Sequence, residues 1–165
     1  MALSCGAKAP EFALTSTKGK PLILTDLLLR GPVVLAFLKI SCPVCQYAFP
    51  YIERMWQVHK TEPVSFVGIS QDNAPDTEAF TRNYGLTFPV ALDDSRRYIV
   101  SNAYKLTNVP TMYLVDRDGE IQVSSVGWSR ADMEELNLKL SMMDPAQEQH
   151  PMFKSGEQVA EFKAG

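Results

Sequence analysis

Val33-Val34-Leu35-Ala36-Phe37-Leu38-Lys39-Ile40-Ser41-Cys42-Pro43-Val44-Cys45 is the stretch on which the reading of the fold turns. Six consecutive apolar residues bounded by Pro32 and Lys39 are the pattern of a strand buried on both faces of a parallel sheet. Beyond a short loop, Val44, Ala48, Tyr51, Ile52, Met55, Trp56 and Val58 recur at the spacing of a helix packed on a sheet, from Pro43 to Lys60. Pro50 inside it is expected to kink that helix. The two cysteines therefore stand where a buried strand gives way to a helix. Cys42 falls at or near the N-cap, where unpaired backbone N–H groups and the positive end of the macrodipole favour an anion. It is expected to be the low-pKa nucleophile. Pro43 suits the first helical position, since its missing N–H had no partner there. Cys45, one turn on, should be more buried and less ionised, within reach of Cys42 to form a small disulfide ring.

Working outward, Glu11-Phe12-Ala13-Leu14, the turn Thr17-Lys18-Gly19-Lys20 and Pro21-Leu22-Ile23-Leu24 read as a β-hairpin. Thr25-Asp26 then resembles an N-cap to a single helical turn closed by Gly31-Pro32. After the cysteine-bearing helix, Val64 to Ser70 is a second buried strand and Asp76 to Tyr84 a helix stopped by Gly85. Phe88 to Leu92 makes a short strand and Ser95 to Tyr104 another helix. Met112 to Val115, the turn Asp116-Arg117-Asp118-Gly119 and Glu120 to Val126 read as a hairpin with a type I or I′ turn. Ser129 to Leu140 is an amphipathic helix, with Ser129 and Asp132 as a capping box. The alternation predicts an α/β domain over 1–143 with a mixed sheet covered on both faces. Residues 144–165 are expected to form a polar tail packed on the surface or mobile.

Composition narrows the chemistry. The 165 residues are long enough for one domain, and 45% hydrophobic and 21% charged residues are ordinary for a globular protein. A formal charge of −3, without a basic block, argues against nucleic acid as a partner. The most apolar stretch, Leu22 to Ile40, is interrupted by Asp26, Arg30, Pro32 and Lys39, so no membrane span is expected. The first ten residues lack a basic and apolar leader, and a cytoplasmic location is the expectation. Three cysteines, Cys5, Cys42 and Cys45, are too few for a disulfide framework, which points to chemical rather than structural use. A closed zinc site needs about four ligands. Cys5, His59 and His150 are not spaced as a second pair of ligands, so neither a metal nor another cofactor is expected.

Three separated motifs resemble the thioredoxin superfamily, in its redoxin branch of alkyl hydroperoxide reductase/thiol-specific antioxidant proteins and thioredoxin-like thiol-disulfide oxidoreductases. Ala9-Pro10-Glu11-Phe12-Ala13-Leu14 with Gly19-Lys20 and Leu24-Thr25-Asp26-Leu27 is similar to that branch's N-terminal hairpin. Cys42-Pro43-Val44-Cys45 followed by Pro50 is similar to the thioredoxin active-site helix. Val109-Pro110-Thr111, followed by Tyr113-Leu114-Val115-Asp116 and Gly119, is similar to the cis-proline loop and its hairpin. The resemblance implies a thioredoxin-like fold with an extra N-terminal hairpin, a cis Val109–Pro110 bond beside the cysteines, and a loop whose free backbone groups receive a substrate strand. Departures bear on function. Ser41 stands at the usual tryptophan, and Ala36 at the buried proton-relay aspartate of thioredoxin. In the peroxiredoxin pattern P-x-x-x-[ST]-x-x-C, neither cysteine finds both the proline and the hydroxyl, and Pro110 takes the place of the arginine that orients peroxide.

These observations point to a thiol-disulfide oxidoreductase cycling Cys42 and Cys45 between dithiol and disulfide. The alternatives are a peroxiredoxin-like thiol peroxidase using the same cysteines, and a non-catalytic module that binds a partner through Val109-Pro110 and the tail. The implied partners are a protein or small-molecule disulfide and a thiol electron donor. Pro43, Ser41 and Lys39 are supporting candidates, Lys39 by lowering the thiolate pKa or simply by reaching for water. Cys5 reads as a bystander or a resolving thiol. His59 should cap carbonyls or face solvent, and His150 should be solvated. Tyr51, Met55 and Trp56 read as core, and Phe153 and Phe162 as packing on their own domain.

Overall fold

The computed structural model describes residues 1–143 and 148–165. The expected boundary between 143 and 144, and tail residues 144–147, lie outside the described residues. Strands β1 (Ala13–Ser16) and β2 (Pro21–Ile23) form the N-terminal hairpin, and α1 (Leu24–Arg30) follows directly. Next come β3 (Val33–Leu38), α2 (Pro43–His59), β4 (Ser65–Ser70), α3 (Ala74–Asn83), β5 (Val90–Leu92) and α4 (Ile99–Ala103). A second hairpin, β6 (Thr111–Val115) and β7 (Ile121–Val126), leads through β8 (Trp128–Ser129) into α5 (Arg130–Met143), and β9 (Phe162–Lys163) comes last. Seven strands form one sheet in the order β2-β1-β5-β4-β3-β6-β7. β3, β4 and β5 are parallel to one another, while β1 runs antiparallel to β5 and β6 antiparallel to β3. This is the expected mixed sheet with an added hairpin.

β3 lies at the centre and serves both faces, because successive side chains of a strand point opposite ways. Val34, Ala36 and Leu38 join a core with Phe49, Ile52 and Met55 of α2 and Met133, Leu136 and Leu140 of α5. Val33, Leu35 and Phe37 join the other, with Leu24, Leu27, Val100 and Tyr104. No residue of β3 is more than 1% exposed. The chain leaves this strand at the sheet's C-terminal edge, where α2 begins.

Where the elements differ from the sequence reading, polar side chains have taken over backbone donors. α1 starts at Leu24 rather than after Thr25-Asp26, and Ile23 at its N-cap contributes no side-chain bond. Glu11 does the capping instead, its carboxylate accepting from the Thr25 backbone N–H at 3.2 Å and from the Thr25 hydroxyl. α3 begins two residues early because Asn73 Oδ1 accepts from the Asp76 N–H at 2.9 Å. α4 is shorter than expected. Asp94 accepts from the Arg96 and Arg97 N–H groups and Asp93 from those of Val100 and Ser101, so residues 94–98 turn before the helix starts. At α5 only half of the capping box forms. Ser129 accepts from the Asp132 N–H, whereas the Asp132 carboxylate accepts from the Ser125 hydroxyl. Val58, read as part of the apolar face of α2, is 37% exposed.

Residues 148–165 lie against α2, α5 and β8. Met152 and Phe153 are buried, and the Phe153 ring meets those of Tyr51 and Trp128. Phe162 is 64% exposed. The Trp128 indole N–H donates to the Ala160 carbonyl at 2.6 Å, and Arg54 pairs with Glu157 at 2.7 Å. β9 then pairs antiparallel with β8, matching Phe162 to Ser129 and Lys163 to Trp128.

Candidate active site at the start of helix α2

The site is built from the end of β3, the start of α2, the loop after β4 and the loop before β6. Cys42 is the N-cap of α2 in extended backbone, and Pro43 occupies the first helical turn. The Cys45 backbone N–H points at the Cys42 sulfur, 3.4 Å away, so a first-turn donor left without a partner in the helix faces this thiol. Cys42 is half-buried, whereas Cys45 is fully buried, and both are free thiols. Burial pushes the Cys45 thiol far above the ordinary range, with smaller contributions in the same direction from Cys42 and Asp72 and an opposing backbone hydrogen bond from Lys39. One thiol is therefore presented to solvent and its neighbour is held protonated beneath it.

The third element is the loop before β6. The Val109–Pro110 bond is cis. The Cys42 thiol donates to the Val109 carbonyl at 3.3 Å, which brings Val109 and Pro110 against the cysteine pair. Thr111 is wholly buried at the start of β6, and its hydroxyl donates to the Asn108 carbonyl at 2.8 Å, closing the loop on itself. Ser41 is exposed. The Lys39 ammonium sits 5.9 Å over the Tyr98 ring, while the Lys39 carbonyl accepts from the Cys42 N–H.

Some residues that shape the site carried no motif. The Asp72 carboxylate, at the end of β4, accepts from the Ile40 N–H at 2.8 Å, and the Gln46 side-chain amide donates to the Ile40 carbonyl at 3.0 Å. The peptide leading into Cys42 is thus held from both sides. A polar residue just past a buried parallel strand was the available signal for Asp72, because such edges collect the functional groups of α/β sheets. Tyr47, read only as part of a helix, accepts from the Ala160 N–H at 3.0 Å. Cys5 is exposed on the β7 edge, its thiol donating to the Gln122 carbonyl, at the end of that strand opposite Val126 and the cysteine pair.

His59 requires a correction. It neither caps a helix nor meets solvent, being 1% exposed, with Nδ1 2.9 Å from both Glu62 oxygens and Nε2 2.8 Å from Asn137 Oδ1. Asn137 in turn donates to the carbonyl of His150, whose residue is exposed. Among the described residues no group of three or more potential metal ligands comes together. No described helix is long and apolar enough to cross a membrane.

Comparison with known proteins places the chain in a family and a fold. The model of the AhpC/TSA family matches residues 5–124. The thiol-disulfide oxidoreductase ResA of Geobacillus kaustophilus is 32% identical over 135 residues, which cover 81% of this chain and 76% of that one. A provisionally assigned protein disulfide isomerase from Bacteroides thetaiotaomicron superposes with a TM-score of 0.79 at 28% identity, over 87% of this chain and 94% of the other. The thioredoxin domain of a thiol-disulfide oxidoreductase from Bacteroides vulgatus, 21% identical, shares the fold with a TM-score of 0.75 over 87% of this chain and all of that one. With a family model over most of its length and a relative above 30% identity, the chain belongs to the AhpC/TSA family as a thioredoxin-like thiol-disulfide oxidoreductase.

Proposed function

We propose that Cys42 is the attacking thiol and Cys45 the resolving one, and that the enzyme reduces disulfides of proteins. The Cys42 thiolate attacks one sulfur of the substrate disulfide, forming a mixed disulfide and expelling the other sulfur as a thiolate. Cys45 then gives up its proton and attacks the Cys42 sulfur. The Cys42–Cys45 bond forms, the second substrate thiolate leaves, and the enzyme has lost the two electrons that the substrate gained. A thiol donor returns the pair to the dithiol.

The observation that carries this reading is the contrast between the two sulfurs. A half-exposed Cys42 receives a helix N–H, and a buried Cys45 lies one turn behind it. Accessibility decides which sulfur meets substrate, and proximity decides which resolves it. Cys45→Ser should accumulate a mixed disulfide through Cys42 when mixed with a disulfide-bonded protein, and Cys42→Ser should accumulate none, as read by intact mass and peptide mapping. A trapped species carried by Cys45 or Cys5 would overturn the assignment.

A further inference from the structure

The loop beside Cys42 already carries a length of polypeptide. Residues 161–165 come off the α2 helix face, where Tyr47 holds the Ala160 N–H, pair with β8 and run on to Val109. Gly127 makes room for them. Its φ of +75° suits glycine, and a Cβ there would lie 2.5 Å from the Lys163 carbonyl oxygen and 3.1 Å from the Gly165 nitrogen. Gly165 is seated just as closely on the loop, since a Cβ on it would lie 2.4 Å from the Val109 carbonyl oxygen. The Asn108 side-chain amide donates to the Gly165 carbonyl at 2.8 Å, and the Lys163 ammonium stands 4.9 Å over the Tyr47 ring. The carbonyl under Gly165 is the one that accepts from the Cys42 thiol.

We infer that residues 161–165 are a specificity segment that occupies the place where a polypeptide substrate would cross Val109 beside Cys42. A small disulfide reaches the half-exposed Cys42 with the segment in place, whereas a disulfide set in a polypeptide must first displace it. This rests on the assignment of Cys42 as the attacking thiol. A competent state populated at about a tenth lowers the apparent reactivity toward polypeptide about tenfold, and unseating the segment removes that factor.

The Gly165→Leu variant tests this, because a Cβ at 165 would lie 2.4 Å from the Val109 carbonyl oxygen. Single-turnover reduction of insulin by the reduced variant should be about tenfold faster than by the wild type, with reduction of hydroxyethyl disulfide changed less than twofold. No acceleration toward insulin, or equal acceleration toward both, overturns the inference. A second measurement uses Cys45→Ser with NMR detection of the Lys163 and Gly165 amides. Both resonances should move toward unstructured positions when Cys42 carries a disulfide-linked peptide, and should stay in place when it carries mercaptoethanol. If the peptide is attached and they stay in place, the segment is not displaced and this inference fails alone. If no adduct forms on Cys42, the assignment of Cys42 fails with it.

Discussion

At the scale of single residues, the difference between the two sulfurs is one of burial. Iodoacetamide added to the reduced protein should alkylate Cys42 and the exposed Cys5 well before Cys45, as followed by peptide mass spectrometry, and early modification of Cys45 would reverse the proposed roles. Burial also gives Cys45 a signature in stability. The folded, reduced protein keeps this thiol protonated to high pH, whereas in the unfolded chain it ionises near about pH 8.5. Above that pH the unfolded state holds the fewer protons, so stability present at lower pH is lost as pH rises, by up to about 1.4 kcal/mol per unit. Reduced wild type should therefore lose melting temperature between about pH 9 and 10 more steeply than Cys45→Ala, measured by calorimetry. The placing of Cys42 and Cys45 at a helix start was legible in the sequence because helix caps are local, whereas the place of Pro110 beside them followed only from the family resemblance, since residues 45 and 110 lie far apart in the chain. Asp72 and Gln46 were not legible, since nothing near them in sequence says that they meet at Ile40.

Among the elements, β3, α2 and the two hairpins could be read because strand alternation and helix periodicity act within a few residues. The ends of α1, α3 and α4 moved where Glu11, Asn73, Asp93 and Asp94 capture backbone donors that propensity alone assigns to a neighbour. His59 was misread for a related reason. It stands near the polar end of α2, and its partners Glu62 and Asn137 come from the following turn and from α5. The resulting network ties α2 to α5, and through the His150 carbonyl to residues 148–165. His59→Ala would leave the buried Glu62 side chain without its hydrogen-bond partner, a loss of about 1–3 kcal/mol. Urea unfolding followed by circular dichroism should show that loss, and a change below about 1 kcal/mol would mean that water replaces the imidazole without cost.

For the molecule as a whole, the question is which oxidant the dithiol meets. Peroxide reduction needs donors placed where charge develops on the leaving oxygen, and each such donor is worth about 10²–10³ in rate. Among the described residues neither cysteine sulfur receives a hydrogen bond from a guanidinium or a hydroxyl; the Cys42 sulfur faces the Cys45 N–H and the Val109 carbonyl. Reduced enzyme should accordingly react with a protein disulfide at least about a hundredfold faster than with hydrogen peroxide in stopped flow, and the reverse ranking would make it a peroxidase. The order of strands in the sheet has a consequence in time. β1 ends at residue 16, yet its inner neighbour in the sheet, β5, is not complete until residue 92, and β3 waits for β6 until residue 115. At synthesis rates of roughly 5–20 residues per second, the N-terminal hairpin spends on the order of 4–15 seconds on the ribosome before its docking strand has been made.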